Sequence, residues 1–221
     1  MRYSDLQLHI DEGTAPAALP RWAESVLRDI AAGHLPLTAV RHPLGFLCLP
    51  VERSGELGVC IHLWSPELAS AASSTSQVHC HSWELTSFVL YGQIRNVLGD
   101  LREGTTHRIF EVVSHGDVDE IRASDRTVHY LPGRADVHRG GTTYSLPSGV
   151  FHSTEVGDSG EAATVVLGRT GGSRPDLSLG PPEVAGHTLP RSRCTSAETI
   201  QAARLAIARL TREPGGDGTW T

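Results

Sequence analysis

The chain has 221 residues, a formal net charge of −6 and a pI near 6.0, a length that suits one domain with appendages and a sizeable buried core. The acidic balance argues against a nucleic-acid groove or a polybasic membrane patch. The sequence holds no lysine, which excludes Schiff-base chemistry, pyridoxal-phosphate attachment and a Walker-type phosphate lysine, so any anion clamp must be arginine, histidine or backbone.

From the N-terminus onward, Met1-Arg-Tyr-Ser-Asp lacks an apolar signal region. After Pro20, the positions Trp22, Val26 and Ile30 recur at i and i+4, with Gly33 as a stop, which predicts a helix of about three turns. Short runs then alternate with turn signals. Predicted strands cover residues 46–51, 57–64, 77–81, 85–91, 93–98, 108–113, 127–131, 142–146, 150–156 and 163–167, punctuated by Gly92, Gly116, Pro132-Gly133, Gly140-Gly141 and Pro147. This spacing suits a sandwich or barrel rather than βαβ units.

Residues 69–76 are expected to form a loop at the mouth of the site, and residues 171–192, rich in Gly, Pro and Ser, an irregular connection. Ser196 is expected to cap a helix over residues 197–212, with Ile200, Ala203, Ile207 and Leu210 on one face, followed by a frayed tail from Glu213 to Thr221. The domain expectation is a helical flank over 1–43, a β-barrel carrying the site over 44–170, and a connection, helix and disordered tail over 171–221. Together these make one structural domain. Cys48, Cys60, Cys80 and Cys194 form no CxxC pair, and no apolar run approaches transmembrane length. A reduced, soluble, cytoplasmic protein is the expectation.

His79 and His81 in Val78-His79-Cys80-His81 stand one residue apart, so on a strand they project to the same face and can converge on one ion. His152, at the end of Gly141-Thr-Thr-Tyr-Ser-Leu-Pro147-Ser-Gly149-Val-Phe-His152, is the third candidate ligand. Three neutral imidazoles leave coordination positions free for water, substrate or dioxygen, which is a catalytic arrangement rather than a closed structural one. Cys80 has the opposite parity and is read as a small buried filler. Along residues 57–64, Cys60, His62 and Trp64 share one face and Val59, Ile61 and Leu63 the other; one of the two must look inward.

A His-x-His strand running into the glycine turn Ser87-Phe88-Val89-Leu90-Tyr91-Gly92, followed by the Gly141 to His152 segment, resembles the two-part signature of the cupin superfamily. The order Gly58-Val-Cys-Ile-His62-Leu-Trp64, then His79-Cys-His81, then Tyr144 eight residues before His152, is similar to the cysteine-dioxygenase-like branch. The resemblance covers roughly residues 44–170. It implies a mainly β fold, a small antiparallel, jelly-roll-like barrel with flanking helices and the metal inside. Fe(II) is the implied metal, with zinc, nickel or manganese as other options, dioxygen is the co-substrate and a small polar or anionic metabolite the substrate. The protein is expected to be a monomer or homodimer that binds neither nucleic acid nor membrane.

Departures from that branch shape the remaining candidates. The carboxylate slot of most cupins falls on Leu85; Glu84, one residue away, is weighed as lying behind the ligands or outside the pocket in preference to binding the metal. The cysteine of a thioether crosslink found in some members also falls at Leu85, its tyrosine partner falls near Gly168, and no arginine in residues 46–51 matches the substrate anchor. His62, Tyr144 and Glu84 are therefore the candidate catalytic groups, and Arg95, Arg169 and Trp64 the candidate substrate contacts. The alternatives are a redox-inert zinc-type cupin acting as isomerase, lyase or hydrolase, and a non-catalytic ligand-binding cupin.

Overall fold

In the computed structural model, which describes residues 1–69, 71, 73–171 and 174–211, three helices flank a mainly β chain. Helices α1 (Tyr3–Asp11) and α2 (Ala15–Ala31) precede the strands and α3 (Ser196–Leu210) follows them. The strands are β1 (Val40–His42), β2 (Phe46–Ser54), β3 (Leu57–Trp64), β4 (His79–Cys80), β5 (Trp83–His115) and β6 (Val118–Arg139). They continue with β7 (Thr143–Leu146), β8 (His152–Val156), β9 (Ala162–Thr170), β10 (Asp176–Gly180), β11 (His187–Pro190) and β12 (Ser192–Arg193).

Every pairing is antiparallel, and the path runs β10-β4-β8-β5-β9-β3-β2-β1-β12. The long β5 belongs to two layers: its first residues pair with β9 and β7, its middle with β8 on one side and β6 on the other, and its far end with β6 and β10. Register shifts at Val89/Tyr91 and Val97/Gly99 bend it from one layer to the next, as bulges do.

Alternation along the strands explains where the core lies. Leu47, Leu49, Val59, Ile61, Leu63, Val165 and Leu167 project to one face, where Leu19, Trp22, Leu27 and Ile30 of α2 and Ala202, Ala203 and Ala206 of α3 cover them. The opposite face of β2 and β3, with Cys48, Cys60, His62 and Trp64, is thereby turned toward an internal cavity.

Three expectations change. The first long helix begins at Ala15, not after Pro20: Ala15 and Leu19 extend the buried stripe of Trp22 and Leu27, and this burial carries the helix through a proline that removes one backbone donor. The C-terminal helix is capped by Thr195, one residue earlier than Ser196. Its hydroxyl accepts from the Glu198 N–H at 3.2 Å while the Glu198 carboxylate accepts from the Thr195 N–H at 2.7 Å, a reciprocal capping box. Residues 171–192 are not an irregular connection: Asp176–Gly180 forms β10 between β4 and β5, held by the buried Leu179, and β11 pairs with β6. Positions 70, 72, 172–173 and the tail from 212 onward lie outside the described residues. Among the described residues no helix is long and apolar enough to cross a membrane.

Gly92 lies at the first bend of β5 with φ +76°, and an added Cβ would stand 2.2 Å from the Glu161 carbonyl oxygen. Left-handed backbone costs a non-glycine residue about 1–2 kcal/mol before any clash. Gly92→Ala should therefore lower unfolding free energy by about 2 kcal/mol or more in urea titrations; an unchanged midpoint would mean that the bend relaxes at no cost.

Candidate metal centre

Strand pairing brings the three histidines together. His79 on β4 is the direct cross-strand partner of His152 on β8, and His81 follows two residues after His79 on the same side. Ring centroids are 4.3 Å apart for His79 and His152, 4.8 Å for His79 and His81, and 5.3 Å for His81 and His152. One ring nitrogen from each lies within 4.8 Å of the others. If every separation took that upper value, the central point would lie roughly 2.8 Å from each nitrogen, about 0.7 Å beyond a zinc–imidazole bond. Small ring rotations close that gap.

The ring orientations are fixed from behind. His79 Nδ1–H donates to the Gln77 carbonyl and His152 Nδ1–H to the Val150 carbonyl, both at 2.9 Å. A carbonyl can only accept, so in a neutral ring the lone pair sits on Nε2, as a metal ligand requires. His81 packs on Trp83 at 4.3 Å, and Asp176 of β10 accepts from both the N–H and the hydroxyl of Ser82 at 2.7 Å, pinning the chain between them. Cys80 points the other way, buried with Ile109, Phe151 and Leu179.

Burial keeps these imidazoles neutral. It pushes His79 down to about 3, with His152 adding repulsion. His81 is driven well below the ordinary value by burial and by both neighbouring rings, and His152 is lowered by burial. Neutral rings in a tight cluster suit a cation.

The remaining candidates divide. Among the described residues the group contains no carboxylate. Leu85 faces inward, packed with Leu146 and Val166. Glu84 therefore faces outward and pairs with Arg169, its cross-strand partner on β9, with both side chains more than half exposed (58% and 61%). Arg95 is bonded to Glu155, its partner on β8, at 2.6 Å. Glu84, Arg95 and Arg169 do not line the cavity, because each alternates with an inward residue and falls on the outer face.

His62, Trp64 and Tyr144 do line it. His62 stacks on Phe46 at 4.3 Å, and Phe46 stacks on His42 at 4.4 Å. The Tyr144 ring lies on His138 at 4.4 Å with its hydroxyl beside Ser87 and Asn96. Burial raises the Tyr144 pKa, so the phenol remains a donor.

Sequence reading missed the arginines that line the cavity: Arg41, Arg191 and Arg193, paired with Glu198, Asp119 and Asp117, and Arg53. A bulge between Pro50 and Glu52 brings Arg53 opposite Gly58, on the face of Cys48 and Cys60. Glu52 turns to the other side and accepts from the Tyr3 N–H at 3.0 Å. The cavity that these groups share with the three imidazoles has a volume of about 630 Å³.

The chain matches no protein-family model and no curated protein. Among solved structures it is similar to hydroxypropylphosphonic acid epoxidase from S. wedmorenis, at 13% identity and TM-score 0.34, over 57% of this chain and 50% of that one. It is also similar to a hydroquinone 1,2-dioxygenase in complex with Cd2+ and 4-hydroxybenzonitrile, at 14% identity and TM-score 0.31, over 55% of this chain and 63% of that one. The chain thus spans 50% and 63% of the length of these two structures.

Two outcomes follow from the geometry. Replacing any one of His79, His81 or His152 with alanine should weaken binding of added Fe(II) at least ~10-fold while far-ultraviolet circular dichroism stays unchanged; undiminished binding by His152→Ala would place the ion elsewhere. The second outcome concerns pH. His42 and His79 titrate near 3 in the fold, both chiefly through burial, and near the ordinary ~6.5 when unfolded. Below about 6.5 the unfolded chain takes up protons that the folded chain refuses. Metal-free protein should be most stable above that pH and lose up to ~1.4 kcal/mol per histidine per unit as pH falls toward 3. Urea midpoints in chelator at about pH 7.5 and about pH 5 check this, and equal midpoints would show that the rings charge freely in the fold.

Proposed function

We propose that the chain is a metal-dependent oxygenase that acts on a small anionic or chelating metabolite, with Fe(II) held by His79, His81 and His152 and dioxygen as co-substrate. The observation that carries this reading is the set of three neutral imidazoles, free of any carboxylate among the described residues, opening into a cavity of metabolite size. Fe(II) held by His79, His81 and His152 would keep its double positive charge and would supply attraction for an anionic substrate and electrons for dioxygen.

The protein's own groups then bind and orient. Arg53 reaches into the cavity and, unlike Arg95 and Arg169, is engaged by no carboxylate among the described residues. Its planar guanidinium suits a carboxylate or phosphate. The Tyr144 phenol, kept protonated by burial, offers a hydrogen bond to a substrate oxygen. Phe46 and Trp64, 5.0 Å apart, form an apolar wall that displaces water from the bound substrate. His62 is stacked on that wall with its ring bonded to the Cys60 thiol.

The same absence of a carboxylate ligand also favours a second reading. A closed-shell zinc ion with three imidazoles and one open position acts as a Lewis acid or holds an activated water. Protein purified without oxygen and analysed for metal, then assayed for oxygen uptake with small carboxylates, thiols and phosphonates, separates the two. Iron with substrate-dependent uptake supports the oxygenase; zinc with hydrolysis or isomerisation and no uptake replaces it. With a substrate in hand, Arg53→Ala should raise KM about tenfold or more, roughly 1.4 kcal/mol of lost binding. Arg95→Ala and Arg169→Ala should leave KM unchanged.

A further inference from the structure

A second group of soft donors faces the same cavity. Cys48 on β2 is the cross-strand partner of His62 on β3, and Cys60 precedes His62 by two residues on the same face. Directly opposed residues of an antiparallel pair have Cβ atoms about 4.5–5.5 Å apart, and i, i+2 neighbours share a face, so the three side chains form a triangle on one patch of sheet. The two Sγ atoms and one His62 ring nitrogen lie within 4.8 Å of one another. Neither thiol is in a disulfide. Arg53, which the bulge delivers to the same face, donates from a guanidinium nitrogen to Cys60 Sγ at 3.4 Å, a contact that favours thiolate over thiol.

We propose that Cys48, Cys60 and His62 bind a thiophilic divalent cation of the Zn2+ class, with its fourth position open to the cavity, at a site separate from the three imidazoles. Two thiolates and an imidazole are a zinc donor set, and the pocket leaves room for one exchangeable ligand. Binding releases one proton from each thiol, so the two thiolates cancel the double charge of the ion. The loaded site is then neutral and does not repel a cation at His79, His81 and His152, which lets both sites fill within one cavity. Arg53 remains as a donor to the coordinated Cys60 sulfur, the usual supporting contact of a metal thiolate. The site stands whether the imidazole group carries iron or zinc.

Cobalt(II) distinguishes the two sites because only sulfur ligands give it an intense near-ultraviolet charge-transfer band. Full-length reduced protein titrated with Co2+ should bind two equivalents, one of them with that band. Cys60→Ser should abolish the band and weaken its equivalent at least ~10-fold while the other equivalent remains. His152→Ala should do the reverse, and Cys80→Ser should change neither. Should Cys60→Ser not fold, Cys48→Ser carries the same test. No band at saturating Co2+, in protein whose four cysteines all titrate as free thiols in denaturant, would overturn the proposal. So would a band that survives both cysteine changes, or a single equivalent lost together in Cys60→Ser and His152→Ala.

Discussion

Coverage of one face of β2, β3 and β9 by α2 and α3 decides what the other residues of these strands can do. A strand has two faces, and once Leu47, Leu49, Val59, Ile61 and Leu63 are sealed beneath helices, their alternating neighbours have only the interior to look into. A slip of one residue would send Ile61 into the cavity and His62 into the apolar seam, a change that the burial of Ile61 and Leu63 opposes at about 1.5–3 kcal/mol per side chain. The polar lining of the cavity is thus enforced by the apolar packing behind it. Arg209 of α3, bonded to Glu161 at 2.7 Å just before β9, ties that helix layer to the sheet.

The imidazole group depends on two further constraints acting together. Cross-strand pairing sets His79 against His152, and the carbonyl two residues behind each ring fixes which nitrogen faces inward. Burial then removes the protons that would compete with a cation. None of these contacts is strong alone. Their joint effect is a cluster of uncharged donors that a folded chain holds ready, so little ordering remains for binding to accomplish.

How much of this was legible depended on whether the determining contact was local. His79, His81 and His152 were readable because period-2 alternation and a glycine turn are local properties, and Gly92 does stand at a left-handed bend. The inward face of β3 was reducible to two choices but not decided, since the helices that settle it lie far away in sequence. Arg95 and Arg169 were mistaken for cavity residues because proximity to the motif does not reveal which face is covered. Arg53 lies beyond the strand expected over residues 46–51, and strict alternation would give it the wrong parity; its inward turn arises from a bulge fixed by pairing with β3. The strand Asp176–Gly180 hid within a stretch rich in glycine and proline, where Leu177 and Leu179 were too few to show a pattern. The capping box at Thr195 and Glu198, by contrast, was present in the sequence as Thr-x-x-Glu.

The bulge at Val51 also sets a charge. In a strand without it, regular alternation from Cys48 and Pro50 would deliver Glu52, not Arg53, to the interior. Flattening the bulge with Val51 retained would pair Val51 with Val59 and Glu52 with Gly58, so that a negative side chain would replace a positive one at this point of the lining. Beside Cys60, the sign of the charge offered to a ligand is thus set by chain register rather than by the order of residues alone.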